Sequence, residues 1–327
     1  MAVPTNTRIT YGAVGIREDL SNIIYNISPT DTPFLSGSGR DSCDNTYFEW
    51  QTDSLAVQAN NRSVEGNDPD SLAVAEPSRV GNYTQISVKA VQSSGTAEAV
   101  DFAGRKSTQA YQLAKRAKEM KRDMEKMLME NVARGAGAPA GSPVAPVARI
   151  TGGLGAWIGT NYETVGTGTP APAAPVNANG TAAATDAPST GPITEAKMKA
   201  VIKDCFDNGG SPDTILVGSS QKQTISGLSQ TVSELRTDAN KTAPAHVVAA
   251  VDVYVSDFGT FKIMADRFQR PQDMWFIDFD FFAVSYLRPF RTETLAKTGD
   301  SIKQMLIAEY GLKVKNEASS GILANCS

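Results

Sequence analysis

The stretch KSTQAYQLAKRAKEMKRDMEKMLMENVAR, residues 106–134, decides the fold. Ala110, Leu113, Ala114, Ala117, Met120, Met124, Met127, Leu128 and Val132 recur at steps of three and four residues, the spacing of one helix face. Lys115, Arg116, Lys118, Lys121, Arg122 and Lys126 fill the other faces, and Gly135-Ala136-Gly137 supplies the stop. At 1.5 Å per residue a helix over this stretch is about 43 Å long, against about three turns for an average globular helix. With charge on its outer faces, such a helix crosses a surface instead of sitting inside a core. Between Arg105 and Arg134 nine Lys/Arg stand against four Asp/Glu, a local charge of +5. The chain of 327 residues carries −4, so the remainder carries −9. The basic run reads first as a solvated face with Glu119 and Asp123 as helical neighbours. Two functional readings stand beside it: a surface for an acidic partner, or weak, non-specific contact with nucleic acid. No aromatic residue is interleaved between Lys115 and Lys126, so base reading is excluded.

Upstream of the helix, residues 45–95 read as a projecting two-stranded hairpin. Thr46–Thr52 is a strand by aromatic and β-branched content, and Tyr83–Gln92 alternates Ile86, Val88 and Ala90 with polar partners. The connection between them, about 30 residues that include the polar Asn60 to Pro69, is too long for a loop inside a compact body. Residues 1–44 read as an arm. Leu20, Ile23, Ile24 and Ile27 predict one short amphipathic helix, ended at Ser28-Pro29, before an extended Thr32-Pro33-Phe34-Leu35. A stripe on so short a helix needs something to dock on, its own chain or a neighbour's.

Downstream, residues 138–192 hold 8 of the 17 prolines and only three charges, Arg149, Glu163 and Asp186. TGGLGAWI, residues 151–158, reads as a flexible glycine-rich turn into an apolar patch, and 160–190 as a low-complexity loop. Helix–strand–helix follows over 193–228: Met198, Val201, Ile202 and Cys205 on one face, then Thr214–Val217, then Gln221–Leu228. After a polar loop at 229–246 the pattern turns to β. Strands are predicted around Val251–Val255 and Phe261–Met264 with a turn at Asp257–Thr260, near 274–286, and over Ser301–Lys315.

The composition argues against most chemistry. Hydrophobic residues at 41% and charged residues at 20% fit neither a disordered chain nor a strongly basic nucleic-acid binder. The lone histidine, His246, has no triad partners nearby, and Cys43, Cys205 and Cys326 are too scattered for a zinc site or a disulfide framework. Asp257-Phe258-Gly259 lacks the other kinase motifs and reads as a hairpin turn. Gly152-Gly153-Leu154-Gly155 lacks the Lys-Ser/Thr of a phosphate loop. Asp273, Asp278 and Asp280 lack the glycine and distal glutamate of a calcium loop. No cofactor, no metal and no enzyme activity are expected. Neither a signal peptide nor a membrane span is present, which predicts a soluble chain made and folded in the cytoplasm.

REDLSNIIYNISPTDTPF (17–34), TGGLGAWI (151–158), LRPFRTETLAKTGD (287–300) and AEYGLKVKNEA (308–318) resemble a family of major head proteins of tailed bacteriophages. The order of arm, projecting hairpin, long charged helix, mixed α/β section and closing β hairpin resembles the same capsid proteins, of the Hong Kong 97-like or Johnson fold. The fold class is α+β. The resemblance implies an N-terminal arm at 1–44 and an E-loop at 45–95. A peripheral domain with its spine helix occupies 96–148, an axial domain 149–288, and a return to the peripheral domain 289–327.

The resemblance implies a structural subunit that assembles into pentamers and hexamers of an icosahedral head enclosing double-stranded DNA. Portal and scaffolding proteins are implied partners, with a cement protein and non-specific DNA contact besides, and no membrane. Inter-subunit contacts are expected at Arg62, Glu65, Asp68, Asp70 and Arg79 of the E-loop, and at Leu20, Ile23, Ile24, Ile27 and Phe34 of the arm. Some members of this fold cross-link an E-loop lysine to a neighbour. Here Lys89 is the only lysine between residues 45 and 95 and stands in a strand, so no cross-link is expected. With 44 residues before the E-loop, a separate scaffolding protein and an uncleaved subunit are expected. The competing readings are a tail or decoration protein, usually shorter or repetitive, and a cytosolic hydrolase, for which no cluster of carboxylates is visible.

Overall fold

The computed structural model describes residues 29–56, 58–68, 76–138, 147–232 and 252–327. Arm positions Leu20, Ile23, Ile24 and Ile27, hairpin position Asp70, His246 and most of the 229–246 loop lie outside the described residues.

The long helix, α3, runs from Thr108 to Leu128. Ser107 starts it: its hydroxyl accepts from Ala110 N at 3.2 Å and donates to Glu98 at 3.1 Å. The helix is shorter at its C-terminal end than its periodicity predicts. Beyond Met129 the chain leaves the helix to pair with the glycine-rich turn: Gly153 N donates to Val132 O, Gly155 N to Glu130 O and Gly135 N to Ile150 O. Those tertiary bonds replace the helical ones that residues 129–134 would have made. Replacing Ser107 by alanine is expected to lower stability by about 1 kcal/mol. Denaturant midpoints check this, and threonine at the same position, which keeps the hydroxyl that caps the helix and donates to Glu98, should restore most of the loss.

α3 packs on a four-stranded sheet of order β1–β10–β11–β4, built from Gly39–Ser42, Phe282–Thr294, Ser301–Val314 and Gln85–Ser94. Here the structure corrects a pairing. The partner of β2 (Tyr47–Thr52) in the hairpin is β3 (Ser78–Tyr83), with Tyr47 opposite Tyr83 and Thr52 opposite Ser78. The alternating strand at 85–94 is β4, which pairs antiparallel with β11 instead. Thr84 separates the two roles, its N–H donating back to Thr46 O at 2.8 Å.

The second sheet has six strands in the order β5–β12–β9–β6–β8–β7. They are Tyr162–Thr164, Gly321–Ala324, Met274–Ile277, Thr214–Val217, Gly259–Ala265 and Val253–Ser256. Its central strands are buried on both faces, which is why they read as continuous apolar runs. Leu216, Trp275, Ile277, Ile322 and Ala324 face the α3 core. Ile215, Val217, Met274, Phe276 and Leu323 face α4 (Glu195–Asp207), through Met198, Val201, Ile202 and Cys205. α5 (Ser219–Val232) completes the predicted helix–strand–helix. Asp257 to Gly259 forms the β7–β8 turn, with Gly259 at φ +148°. The C-terminal segment 289–327 does not return as one piece. β11 stays in the four-stranded sheet, whereas β12 inserts between β5 and β9, because its apolar GILA sequence is covered on both faces there.

The segment expected to be a flexible turn is the opposite. Every residue from Thr151 to Ile158 is buried. A Cβ on Gly153 would lie 2.2 Å from Glu130 O, so the glycine permits a close backbone approach. Residues 160–190 are largely irregular but pinned. Asn131 exchanges two hydrogen bonds with the Ala184 backbone, and Asn325 accepts from Ala187 N at 2.8 Å.

Candidate functional site

The hairpin β2–β3 is anchored at its root. There Trp50 packs against Trp157, ring centroids 5.3 Å apart, and Tyr47 against Tyr83 at 4.7 Å, both pairs tilted. Phe48 lies so close to Gly311 of β11 that a Cβ there would meet its ring at 2.6 Å. Asn82 is fully buried. Its amide donates to Thr151 Oγ1, Gly152 O and Leu312 O, and its oxygen accepts from Gly152 N at 2.8 Å.

Beside Asn82 stands Glu309 of β11, also buried, accepting from the Thr84 hydroxyl (3.0 Å), from Arg288 Nε (2.7 Å) and from Arg149. Three other chain segments converge on this one carboxylate. A buried acid is tolerated only when paired and hydrogen-bonded, and Glu309 is both.

Past Thr52 and Ser78 every described residue of the hairpin is exposed. Leu55 is 98% exposed and Val64 82%, with Arg62, Glu65 and Asp68 exposed around them. Arg79 is exposed but paired across the hairpin with Glu49. An isolated two-stranded ribbon with outlying apolar side chains gains stability only by packing on something else.

The root of the arm is built differently. α1 (Pro33–Gly37) begins under α3, where both oxygens of Glu125 accept backbone N–H groups, from Phe34 and Leu35, at 2.7 Å each. Phe34 is completely buried against Phe282 and Phe279. That corrects its expected role: Phe34 fills its own chain's core and is not available to a neighbour. Burial and the adjacent Asp266 carboxyl push the Glu125 carboxyl up to about 8, and burial also raises Asp266. Asp266 Oδ1 accepts from Phe268 N at 2.9 Å.

Along α3 the predicted cations divide. Arg116 pairs with Glu119 at 2.6 Å, and Arg122 lies over the Phe268 ring at 5.9 Å. Asp123 is taken by Lys89 of β4 at 2.5 Å. Lys115, Lys118, Lys121 and Lys126 are exposed and have no carboxylate partner among the described residues.

None of the three cysteines is prepared as a nucleophile. Burial pushes the Cys43 thiol up to about 11 and those of Cys205 and Cys326 to about 12, away from the reactive thiolate. Asp273, Asp278 and Asp280 are not brought together as a ligand set. Asp273 is buried beside Arg270 (3.0 Å), which also holds Asp186 (2.6 Å), while Asp278 caps a short turn by accepting from Asp280 N. Burial raises Asp273 to about 7.

The family model described as SU10 major capsid protein matches residues 3–327. The major capsid protein of Escherichia phage Phieco32 is 30% identical over 345 residues, covering 99% of this chain and 97% of that one. Among solved structures, the capsid asymmetric unit of cyanophage A-1(L) superposes with a TM-score of 0.64 at 13% identity, covering 95% of this chain and 97% of that one. The capsid of the native GTA particle does so with a TM-score of 0.60 at 10% identity, over 97% and 98%. These neighbours share the Hong Kong 97-like fold.

Proposed function

Because the chain belongs to the SU10 major capsid protein family, a structural subunit of an icosahedral phage head, we propose that the distal half of its E-loop is the contact by which one subunit holds the next. The subunit is part of the virion, and many copies assemble the shell. The hydrolase reading has no support. The observation that carries the E-loop reading is the exposure of Leu55 and Val64 beyond the last strand pair, flanked by Arg62, Glu65 and Asp68. Packing on a neighbour removes that apolar surface from water.

In this reading pentamers and hexamers form in the host cytoplasm on a scaffolding protein and close around a portal, with a cement protein as an outer partner. α3 and the four-stranded sheet serve as peripheral domain, and the six-stranded sheet as axial domain. The unpaired lysines of α3 make loose, non-specific contact with packaged double-stranded DNA. The subunit performs no catalysis.

Charge reversal at both E-loop arginines, Arg62→Glu with Arg79→Glu, is expected to cut shell yield severalfold in electron micrographs while the circular dichroism of the subunit is unchanged. Adding Glu49→Arg separates two causes. It rebuilds the pair inside the hairpin, so restored assembly would place the Arg79 effect within the subunit. A persistent defect places it between subunits, and normal shells from the double variant would overturn the reading.

A further inference from the structure

Between α1, α3, β1 and β10 lies an open groove of about 500 Å³. Its floor is apolar: Leu35 of α1, Tyr286 and Phe290 of β10, and Leu306 of β11. Both charged side chains that line it are cations, Arg40 and Lys121, exposed and without a carboxylate partner among the described residues. The acids of the surrounding elements are engaged elsewhere. Asp41 pairs with Lys313, Glu119 with Arg116, Asp123 with Lys89 and Glu293 with Arg291. Glu125 lies beneath α1, where its oxygens accept the Phe34 and Leu35 amides. Asp31 is exposed and does not line the groove. An apolar floor under two unpaired cations suits an apolar side chain flanked by carboxylates.

The distal E-loop carries that combination. Leu55 and Val64 are the two most exposed large apolar side chains among the described residues, at 98% and 82%. Around them the described residues from Asp53 to Pro77 hold four acids, Asp53, Glu65, Asp68 and Glu76, against one cation, Arg62, a net charge of −3. All five are exposed, and none of the four acids has a cationic partner among the described residues. An apolar and acidic loop and an apolar and basic groove are thus two complementary surfaces of one chain, in a protein whose copies assemble a shell.

Resting on the E-loop reading, we infer that Leu55 and Val64 of one copy seat in this groove of the next, with the E-loop acids against Arg40 and Lys121. The contact is heterologous, so every copy both gives a loop and receives one. Of the unpaired lysines of α3, Lys121 is assigned to the neighbouring copy, and Lys115, Lys118 and Lys126 are left for nucleic acid.

Disulfide trapping in assembled shells of the full chain tests it. Val64→Cys is combined with Ser36→Cys, exposed in the groove lining, or with Ala90→Cys, exposed on the face of β4 opposite the one that meets α3. The three native cysteines are present in every variant, and mild oxidation is followed by non-reducing electrophoresis and peptide mass spectrometry. A 36–64 disulfide between chains is expected, several-fold more abundant than 64–90. Equal trapping, a preference for position 90, trapping within one chain, or no trapping overturns the inference. Should the cysteine variants assemble poorly, a charge exchange supplies a second reading. Arg40→Glu with Lys121→Glu is expected to cut shell yield severalfold at unchanged circular dichroism, and adding Glu65→Lys with Asp68→Lys to restore most of it. Normal shells from the first pair, or no recovery from the exchange, overturns the inference. Leu55→Asp reads the E-loop separately: its loss of shells beside normal shells from Arg40→Glu with Lys121→Glu overturns the groove alone, whereas normal shells from Leu55→Asp overturn both.

Discussion

Replacing Glu309 by alanine is expected to lower the stability of the subunit by about 3 kcal/mol, because removing one partner of a buried ion pair leaves its counter-charges uncompensated. The Glu309 side chain is 3% exposed and bonds Arg149, Arg288 and Thr84 at once. In the alanine variant two guanidinium groups face each other across an emptied space, with side chains 25% and 34% exposed. That partial access to water holds the loss near the lower end of the range for buried pairs. Glu309→Gln keeps an acceptor for Thr84 and one arginine, so a smaller loss of about 1–2 kcal/mol is expected. Denaturant midpoints provide the measurement, and an alanine variant within about 0.5 kcal/mol of the parent, the ordinary range of surface substitutions, would show the triad to be unimportant. Thr84 stands where the hairpin strand β3 passes into β4, so the loosened triad also frees the E-loop root. Faster amide exchange at Asn82 and Thr84 should accompany the loss.

The second large effect is a dependence on pH. Glu125 and Asp266 are buried side by side. The groups facing them are the Phe34 and Leu35 amides from α1 and the Arg267 and Phe268 amides from the turn after β8. No lysine or arginine among the described residues forms an ion pair with either, and Arg122 of the same helix is turned over Phe268. Glu125 is raised in the folded state, to about 8, so between the ordinary glutamate range and pH 8 the folded chain holds more protons than the unfolded one. Stability from this pair is complete at mildly acid pH and is lost as pH rises through about 8. Asp266→Asn removes the second carboxyl and leaves the bond to Phe268 N intact. The variant is expected to show a flatter profile and a higher Tm than the parent at pH 9, with little difference at pH 5. Identical losses of Tm from pH 5 to 9 in the two proteins would refute the linkage. The release should be local first, at α1 and the arm root, visible as protease sensitivity near Thr30.

Both carboxylates left a trace in the sequence. Glu125 sits between Met124 and Leu128 on the apolar stripe of α3, and Glu309 continues the alternation of Met305 and Ile307 in β11. A charged residue in an apolar period signals burial, but its partners cannot be read that way. Phe34 is 91 residues from Glu125, and Arg149 is 160 from Glu309. The same limit explains the hairpin. Strand 85–94 has sound alternation, yet periodicity identifies a strand without naming its neighbour, and β11 claimed it. The sequence predicts a flexible turn at 151–158 where the structure has a packed one, because glycine is the signature of both freedom and close packing. Only the backbone of Glu130, 2.2 Å from where a Cβ would be, distinguishes them.

By itself the sequence determined the order of hairpin, long helix and β-rich C-terminal half, since periodicity and residue type are local properties. The tertiary structure alone decided where α3 ends, which strands pair, that Phe34 belongs to its own core, and that β12 crosses to the second sheet. Each of these is a competition between local preference and the burial of backbone or apolar groups against distant residues, and the distant partner appears only once the chain is folded.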